Sequence, residues 1–421
     1  MAIDWLRGIG LGLLVLLGSP ASISLASSPP PAATCAAGPE RHDATLEAWV
    51  KSEPLLRTLA ENAATSRLQI RMYLPPSNEA PCGQLMEFRP DAEYLYPASA
   101  IKIVPAIAVL SAWSLGGPGV PPLDAPLLFS ERSATDDFGN RLRVGGHAPQ
   151  SLASHLEAML VESSNGSFNA LFEIVGTESQ NASFHAGGFP SVRLLHRLSG
   201  FRLPESLASY LPEVRWMRDG VPVIWREARS EAPPRANPHR LSGESIGTGF
   251  IDANSGQSME GPMSFADKNG ITLADLQRIL IALSEELPPS DQATLPALSP
   301  AAVARLLGWM RGPLAEKDGV SAESREARFK PMLPGLLALG LQRDEISYTN
   351  KAGRAYGFHL DNARIQIGNR IVYVAVGMLA NQDGVFNDDR YDYDQTSFPA
   401  LRAIGTVVAS RLFGASPASQ P

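Results

Sequence analysis

Apolar residues recur with two different periods along the chain. Helical spacing over residues 44–64 is followed by polar–apolar alternation over 67–74 and 84–88, which predicts a helix and then two strands joined by a hairpin loop. After about residue 99 helical spacing dominates, and the predicted helices are 151–161, 167–176, 272–286 and 299–311. Strand patterns return near the C-terminus at 345–350, 355–360, 362–367 and 371–379, before a last predicted helix at 398–413.

Strand patterns therefore flank a helical middle, which predicts an α/β (α+β) fold. We expect one antiparallel sheet with flanking helices, formed by both chain ends, together with an all-helical lobe. The sheet lobe is assigned to about 44–98 and 330–413, the helical lobe to about 99–329, and a short tail to 414–421. Residues 206–265 are rich in Pro, Gly and Arg and are interpreted as an insertion. Functional sites tend to lie at such lobe boundaries.

The N-terminal segment resembles an export signal. Arg7 precedes a short apolar run, Ile9–Leu17, and Ser24-Leu25-Ala26 is an acceptable cleavage site, so residues 1–26 are interpreted as a signal peptide. The run is too short to span a bilayer, although a retained N-terminal anchor is the alternative. Residues 27–43 are interpreted as a linker, and the mature protein is expected to be secreted or periplasmic.

Both cysteines, Cys35 and Cys82, lie in the part expected to be exported. Two cysteines in an oxidising compartment suggest one disulfide, which would connect the N-terminal tail to the loop between the first two strands. Lipidation of Cys35 is the alternative, but Ala32-Ala33-Thr34 matches a lipoprotein signal poorly.

Charge and histidine spacing restrict the partners. A net charge of -7 and a pI of about 5.6 argue against nucleic acid as a main partner. The seven histidines have no spacing typical of a zinc site, so neither a metal nor another cofactor is expected. The expected partner is a small molecule, and the protein is expected to be a monomer.

Ser99 and Lys102 carry the strongest chemical signal. They are three residues apart in an apolar stretch, which places them on one face of a helix. The helix N-terminus favours developing negative charge at the serine, and burial would lower the pKa of the lysine until it can accept the serine proton. The alternative is a helix cap followed by a surface lysine. However, the chain has only six lysines against thirty arginines, and no other lysine has a serine three residues before it.

Two further polar clusters interrupt the predicted elements. Ser163 and Asn165 lie in a tight loop between two predicted helices, where capping alone would explain them. Lys351 lies within a predicted strand, and Gly353 permits close approach of another backbone. An edge-strand lysine that prevents aggregation is the alternative for Lys351.

Together, the three clusters resemble the motifs of class A β-lactamases, within the wider group of penicillin-recognising serine hydrolases. That family carries Ser-x-x-Lys, Ser-Asp-Asn and Lys-Thr-Gly in this order. The corresponding segments here are Ser99–Lys102, Ser163–Asn165 and Lys351–Gly353. The resemblance extends over roughly residues 45–413 and includes the segments 152–176, 269–276 and 298–311.

The resemblance implies the catalytic roles. Ser99 would attack a β-lactam carbonyl and become acylated, and Lys102 would act as base or proton relay. Ser163 would pass a proton to the leaving nitrogen. The backbone N–H groups of Ser99 and Arg354 would form the oxyanion hole.

It also implies how the substrate is held. Asn165 would bind the amide side chain of the substrate, and Lys351 would supply positive potential for a substrate carboxylate. Ala352 and Gly353 complete the expected substrate-binding strand. In the family motif, the residue at the position of Ala352 has a hydroxyl group, which normally helps bind that carboxylate.

Two other departures concern Ser164 and the glutamate that activates the hydrolytic water. Ser164 replaces an aspartate that is mainly structural in the family. Aligning the prolines places Leu203 where the family has its deacylating glutamate, so Glu205, two residues later, is the candidate base. Without such a base the acyl-enzyme could persist, as in penicillin-binding peptidases.

Two short patterns mimic other active sites. Gly243–Gly247 fits Gly-x-Ser-x-Gly, but that motif needs a buried strand before it and a helix after it, and neither is predicted here. Tyr348-Thr349-Asn350 mimics a motif of another lactamase class but adjoins Lys351 on a predicted strand.

The sequence therefore predicts an exported serine hydrolase that opens β-lactam amides through an acyl-enzyme. The alternatives are a D-alanyl-D-alanine peptidase or esterase acting on cell-wall peptides, and a non-catalytic binding module that uses the same cleft.

Overall fold

The computed structural model describes Cys35 and residues 37–198, 201–232 and 242–415. The predicted signal peptide and most of the predicted linker and tail lie outside these residues. Within the described ranges, no helix combines the length and the apolar character needed to cross a membrane.

The first half of the chain contains a mixture of helices and strands. In chain order, it comprises β1 (Glu40–Arg41), α1 (Asp43–Ser52), α2 (Pro54–Glu61), α3 (Ala63–Ser66), β2 (Gln69–Leu74), β3 (Gln84–Phe88), a 3₁₀ turn (Ala98–Lys102), α4 (Ile103–Ser114), β4 (Pro126–Phe129), β5 (Glu131–Thr135), β6 (Arg141–Gly145), β7 (Gln150–Ser151), α5 (Leu152–Leu160), α6 (Asn165–Val175), α7 (Thr177–Ala186) and α8 (Glu205–Ala208).

The second half begins with short strands and ends with the longest ones. It comprises β8 (Tyr210–Leu211), β9 (Val214–Arg218), β10 (Val221–Arg226), β11 (Arg229–Ser230), β12 (Ser245–Ile246), β13 (Gly249–Ile251), β14 (Ser258–Glu260), β15 (Met263–Ser264), α9 (Leu273–Leu283), α10 (Pro300–Arg311), α11 (Ala322–Phe329), α12 (Leu333–Leu337), β16 (Ile346–Asn350), β17 (Gly353–Ala355), β18 (Phe358–Ile367), β19 (Arg370–Leu379), β20 (Val385–Phe386) and α13 (Phe398–Leu412).

The main sheet is built from both chain ends, as predicted. Its order is β1-β3-β2-β19-β18-β16, with β17 also paired to β18, and every pairing except that of β1 with β3 is antiparallel. Successive residues of a strand point to opposite faces, and both faces of this sheet are covered. On β19, for example, Tyr373 and Ala375 pack into one core while Val374 and Val376 pack into the other.

A large hydrophobic core lies on each face of the main sheet. These two cores position the functional site between the sheet and the elements formed by the middle of the chain. One core lies between the sheet, α1, α2, α12 and α13, and the other joins the opposite face of the sheet to α4, α5, α6 and α9. Residues 103–111 of α4 are all buried, which is expected of a helix that is apolar all round and runs through the centre of a core.

Three predictions need correction in detail. The middle of the chain is not all-helical, because β4 to β15 lie there as short ribbons, including a β9–β10 hairpin with Asp219-Gly220 at its turn. The predicted helix 44–64 is divided into three, and Pro54 starts the second of them, where its missing N–H costs nothing. Conversely, the two strands predicted at 355–360 and 362–367 form the single strand β18.

A disulfide joins Cys35 to Cys82 in the structure. It connects the first described residue to the loop between β2 and β3, next to the short parallel pairing of β1 with β3.

Candidate active site

The 3₁₀ turn presents Ser99 at the boundary between the sheet and the helical core. Ala98, Ala100, Ile101 and Lys102 are buried, whereas Ser99 is only half-buried. Ala98 has a φ of 47°, a left-handed conformation that costs a non-glycine residue about 1–3 kcal/mol. In the described part of the chain no group hydrogen-bonds to the Ser99 hydroxyl, so this group is free to meet a substrate.

Lys102 is fully buried at the start of α4. Its Nζ donates to Ser163 O at 2.5 Å and to Asn165 Oδ1 at 2.7 Å, and lies 3.3 Å from Ser163 Oγ. Burial, together with the positive charge of Lys351, lowers the pKa of Lys102 to about 6. A neutral amine has two N–H groups, which these two oxygens use, and its lone pair can accept a proton.

The hydroxyl of Ser163 lies between two lysines. Its Oγ is 3.3 Å from Lys102 Nζ and accepts a hydrogen bond from Lys351 Nζ at 3.1 Å. Ser163 has a φ of 56°, so the tight loop holds it in a left-handed conformation. The preceding residue, Glu162, anchors this loop because both of its carboxylate oxygens accept hydrogen bonds from Arg325.

The start of α6 fixes the other end of the loop. Ser164 caps this helix, its Oγ accepting from Ser167 N at 3.1 Å, which is the capping role expected of serine. Asn165 is the first helical residue and is exposed, with its Oδ1 bound by Lys102. One turn later, the side chain of Asn169 hydrogen-bonds to both the N–H and the carbonyl of Leu198 and so anchors the loop before α8.

Lys351 follows the last residue of β16. It is buried, and its Nζ contacts Ser163 Oγ and, at 3.3 Å, Ala352 O. Burial lowers the pKa of Lys351 to about 7, with Asp361 opposing and Lys330 adding to the shift. In the described ranges no carboxylate hydrogen-bonds to either Lys102 or Lys351, so no such contact offsets the effect of burial on the two pKa values.

The strand β17 lies directly against the 3₁₀ turn that carries Ser99, which is called the serine turn. A Cβ atom on Gly353 would be 2.2 Å from Pro97 O and 2.8 Å from Ser99 N, so only glycine permits this approach. Ala352 is half-buried on the same edge. Arg354 is the next residue of β17, and its guanidinium lies over the rings of Tyr393 and Phe398.

The structure does not bring Glu205 together with these groups. Glu205 is exposed and begins α8, and its main-chain carbonyl accepts hydrogen bonds from Ser209. In the described residues its carboxylate has no hydrogen bond to Ser99, Lys102 or Ser163. The side chain of Glu205 is exposed to solvent, and its role as the hydrolytic base stays a prediction.

The two mimicking motifs lie outside this arrangement. Ser245 is exposed on the two-residue strand β12, which pairs with β15 and is followed by another strand rather than a helix. Tyr348–Asn350 lies on β16, as predicted.

Sequence reasoning missed two buried charged residues beside Lys351. Lys330 follows α11 and Asp361 lies on β18, and both are almost inaccessible to solvent. A signal existed for Asp361, because a carboxylate in the middle of an apolar strand pattern is rarely buried without a partner. No local pattern distinguishes Lys330.

The described residues contain no group of three or more His, Cys, Asp or Glu side chains that could hold a metal ion.

No protein-family model matches the chain, and no curated protein matches it. Solved structures similar to it include class A β-lactamases and the penicillin-binding protein PBP-A. A PBP-A mutant, solved as its acyl-enzyme complex with penicillin G, is 14% identical, covers 90% of this chain and 99% of its own, and has a TM-score of 0.48.

Two β-lactamases give similar values. The enzyme from Burkholderia ambifaria is 15% identical and covers 85% of this chain and 98% of its own, with a TM-score of 0.44. That from Sphaerobacter thermophilus is 14% identical and covers 88% and 98%, with a TM-score of 0.45. Similarity at this level assigns no activity to the chain.

Proposed function

We propose that the chain is a serine hydrolase that works outside the cytoplasm and opens β-lactam amides through an acyl-enzyme at Ser99. One observation carries this proposal: the hydroxyl of Ser163 lies within 3.3 Å of two buried lysine amines, Lys102 and Lys351, whose pKa values are lowered to about 6 and about 7. Groups with such perturbed proton affinities, converging on one hydroxyl beside a free serine, are typical of acyl transfer.

Acylation begins with Ser99. As its Oγ bonds to the carbonyl carbon, its proton passes to the lone pair of neutral Lys102. The carbonyl oxygen becomes negative and is stabilised by the backbone N–H groups of Ser99 and Arg354, on the turn and on the strand that packs against it.

Ser163 completes the reaction. Its hydroxyl proton goes to the lactam nitrogen as the C–N bond breaks, and the proton held by Lys102 replaces it across the 3.3 Å contact. Lys351 stabilises the transient negative charge on Ser163 Oγ and attracts the substrate carboxylate, while Asn165 binds the amide side chain. Water then cleaves the Ser99 ester and restores the serine.

Two features of the described site support a second candidate for the physiological substrate. No described carboxylate is hydrogen-bonded to the four groups that carry acylation, and Ala352 lacks the hydroxyl that would bind a substrate carboxylate. The first feature favours slow hydrolysis of the ester, and the second favours weaker binding of a β-lactam carboxylate. Both are therefore consistent with a D-alanyl-D-alanine peptidase or an esterase acting on cell-wall peptides.

The test is to add benzylpenicillin to the purified protein and to follow its intact mass over time. An adduct that forms and then clears as hydrolysed drug accumulates indicates a β-lactamase, and an adduct that persists indicates the peptidase or esterase. If the wild-type protein forms no adduct, the proposal is wrong.

Two variants serve as controls. Ser99→Ala should form no adduct, whereas Ser245→Ala, which removes the exposed serine of the mimicking motif, should be acylated like the wild type. A Ser99→Ala variant that still binds penicillin, alongside an equally unmodified wild type, would instead support a binding module.

A further inference from the structure

Lys351 is bordered by a buried pair of opposite charges. Lys330 Nζ contacts Met310 O and Tyr348 O, each at 3.1 Å, and Asn350 Oδ1 at 3.4 Å. Three acceptors require three N–H groups, which only the charged ammonium form has. Burial lowers the pKa of Lys330 to about 8, so it remains largely protonated at neutral pH.

Asp361 is the negative member of the pair. It is fully buried, and it accepts hydrogen bonds from Tyr348 Oη at 2.5 Å and from Asn350 Nδ2 at 2.7 Å. Burial raises its pKa to about 6, although both hydrogen bonds and the charge of Lys330 oppose the rise, so it is mainly ionised above that pH.

Asn350 connects this pair to the active site. Its side chain binds Lys330 through Oδ1 and Asp361 through Nδ2, and Lys351 is the next residue in the chain. The backbone N–H of Lys351 is in turn held by Asn362 O at 3.1 Å, directly after Asp361. The backbone of Lys351 is therefore fixed relative to one positive and one negative buried charge, and its amine is held by Ser163 Oγ and Ala352 O.

We propose that Lys330 and Asp361 are positioning residues that set the proton affinity of Lys351, and through it the pH range in which Ser163 can deliver its proton. The proposal deepens the acylation mechanism above and rests on it. Asp361 favours the charged form of Lys351, whereas Lys330 disfavours it. Because the pair is inaccessible to solvent, ions in solution screen these effects little.

Besides Lys102, the buried pair of Lys330 and Asp361 has the main electrostatic effect on Lys351. The acidic residues Glu162 and Glu326 are both engaged by arginines. The elements packed around Lys351 are the 3₁₀ turn, the loop before α6, α10, the end of α11 and the sheet, and their titratable and charged groups near it are Lys102, Glu162, Arg311, Lys330, Tyr348 and Asp361.

The test uses two substitutions with opposite expected effects. The rate of acylation by benzylpenicillin is measured from pH 5 to 9 for the wild type, Asp361→Asn and Lys330→Met, with Lys51→Met as the control that removes an exposed lysine on α1. At alkaline pH the acylation rate falls as Lys351 loses its proton. Asp361→Asn should lower the pH of this fall by about one unit, and Lys330→Met should raise it by a similar amount. The control should leave it in place.

A purely structural role predicts lower rates without opposite shifts, so two shifts in the same direction, or none, would overturn the proposal. Side-chain ¹³C NMR titration of Lys351 in the wild type provides a readout that needs neither a stable variant nor acylation. A Lys351 that titrates like an ordinary exposed lysine refutes the proposal. Conversely, a wild type that is not acylated refutes the proposed function, and opposite shifts of the Lys351 titration in the two variants would then still support the effect of the buried pair on this amine.

Discussion

The most direct test of the site architecture is to add one methyl group at Gly353. An alanine Cβ there would lie 2.2 Å from Pro97 O and 2.4 Å from Ala100 N, whereas real Cβ atoms almost never approach other atoms closer than 3.0 Å. Both neighbours are backbone atoms and cannot rotate away. Either β17 or the 3₁₀ turn that carries Ser99 must therefore shift by nearly an ångström.

The cost can be estimated from this overlap. Overpacking of this kind costs about 1–3 kcal/mol of unfolding free energy. Displacing a nucleophile by about 1 Å from the groups that act on it can cost on the order of 100-fold in rate. Gly353→Ala should therefore be acylated about 100-fold more slowly and should unfold at a lower denaturant concentration.

The matched control is Gly308→Ala in α10. Gly308 is exposed, and a Cβ there would meet no atom within 4 Å, so this variant should gain up to about 1 kcal/mol from helix propensity and be acylated normally. Stopped-flow acylation and urea unfolding measure both quantities. If Gly353→Ala reacts and unfolds like the wild type, β17 does not define the position of the serine turn.

Three further predictions concern pH, the exposed glutamate and the disulfide. Because burial lowers both pKa values, the acylation rate should rise through about pH 6 as Lys102 loses its proton and fall through about pH 7 as Lys351 does, and a flat pH–rate profile would contradict these assignments. Glu205→Gln should leave the lifetime of the acyl-enzyme unchanged in time-resolved mass spectra, whereas a longer lifetime would restore Glu205 as the hydrolytic base. Replacing Cys35 and Cys82 together by serine opens a link across 47 residues and should lower the unfolding free energy by about 4 kcal/mol, measured by urea unfolding, with no effect of reductant on the variant.

The main sheet was predictable because its strands alternate strongly and lie next to clear turn signals. The bounds of β3 and β19 agree with the predicted strands within one residue. The short strands in the middle were missed, although Asp219-Gly220 between two apolar runs is a strong hairpin signal. The Pro and Gly content of that region favoured an interpretation as an irregular insertion, because most of its strands are too short to show alternation.

The candidate site, like the fold, was predictable only in part. Ser99, Lys102 and Lys351 carry local signals, since Lys102 lies in an apolar segment three residues after Ser99 and Lys351 adjoins a predicted strand. The burial that lowers their pKa values, and the contact of Ser163 with both, depend on packing between segments far apart in sequence. Spacing alone likewise could not predict that Glu205 is exposed at the start of the short helix α8.

The closing of the main sheet also has a consequence for synthesis. The pairing of β2 with β19 aligns Ile70 with Val376, so the centre of the sheet cannot form until nearly the whole chain has been made. Contacts this distant in sequence slow folding, and a chain still emerging from the ribosome would carry Ser99 and Lys102 without Lys351. In a nascent or truncated polypeptide Ser99 should consequently be unreactive. It would acquire its partner groups only after the last strands of the sheet have paired with the first.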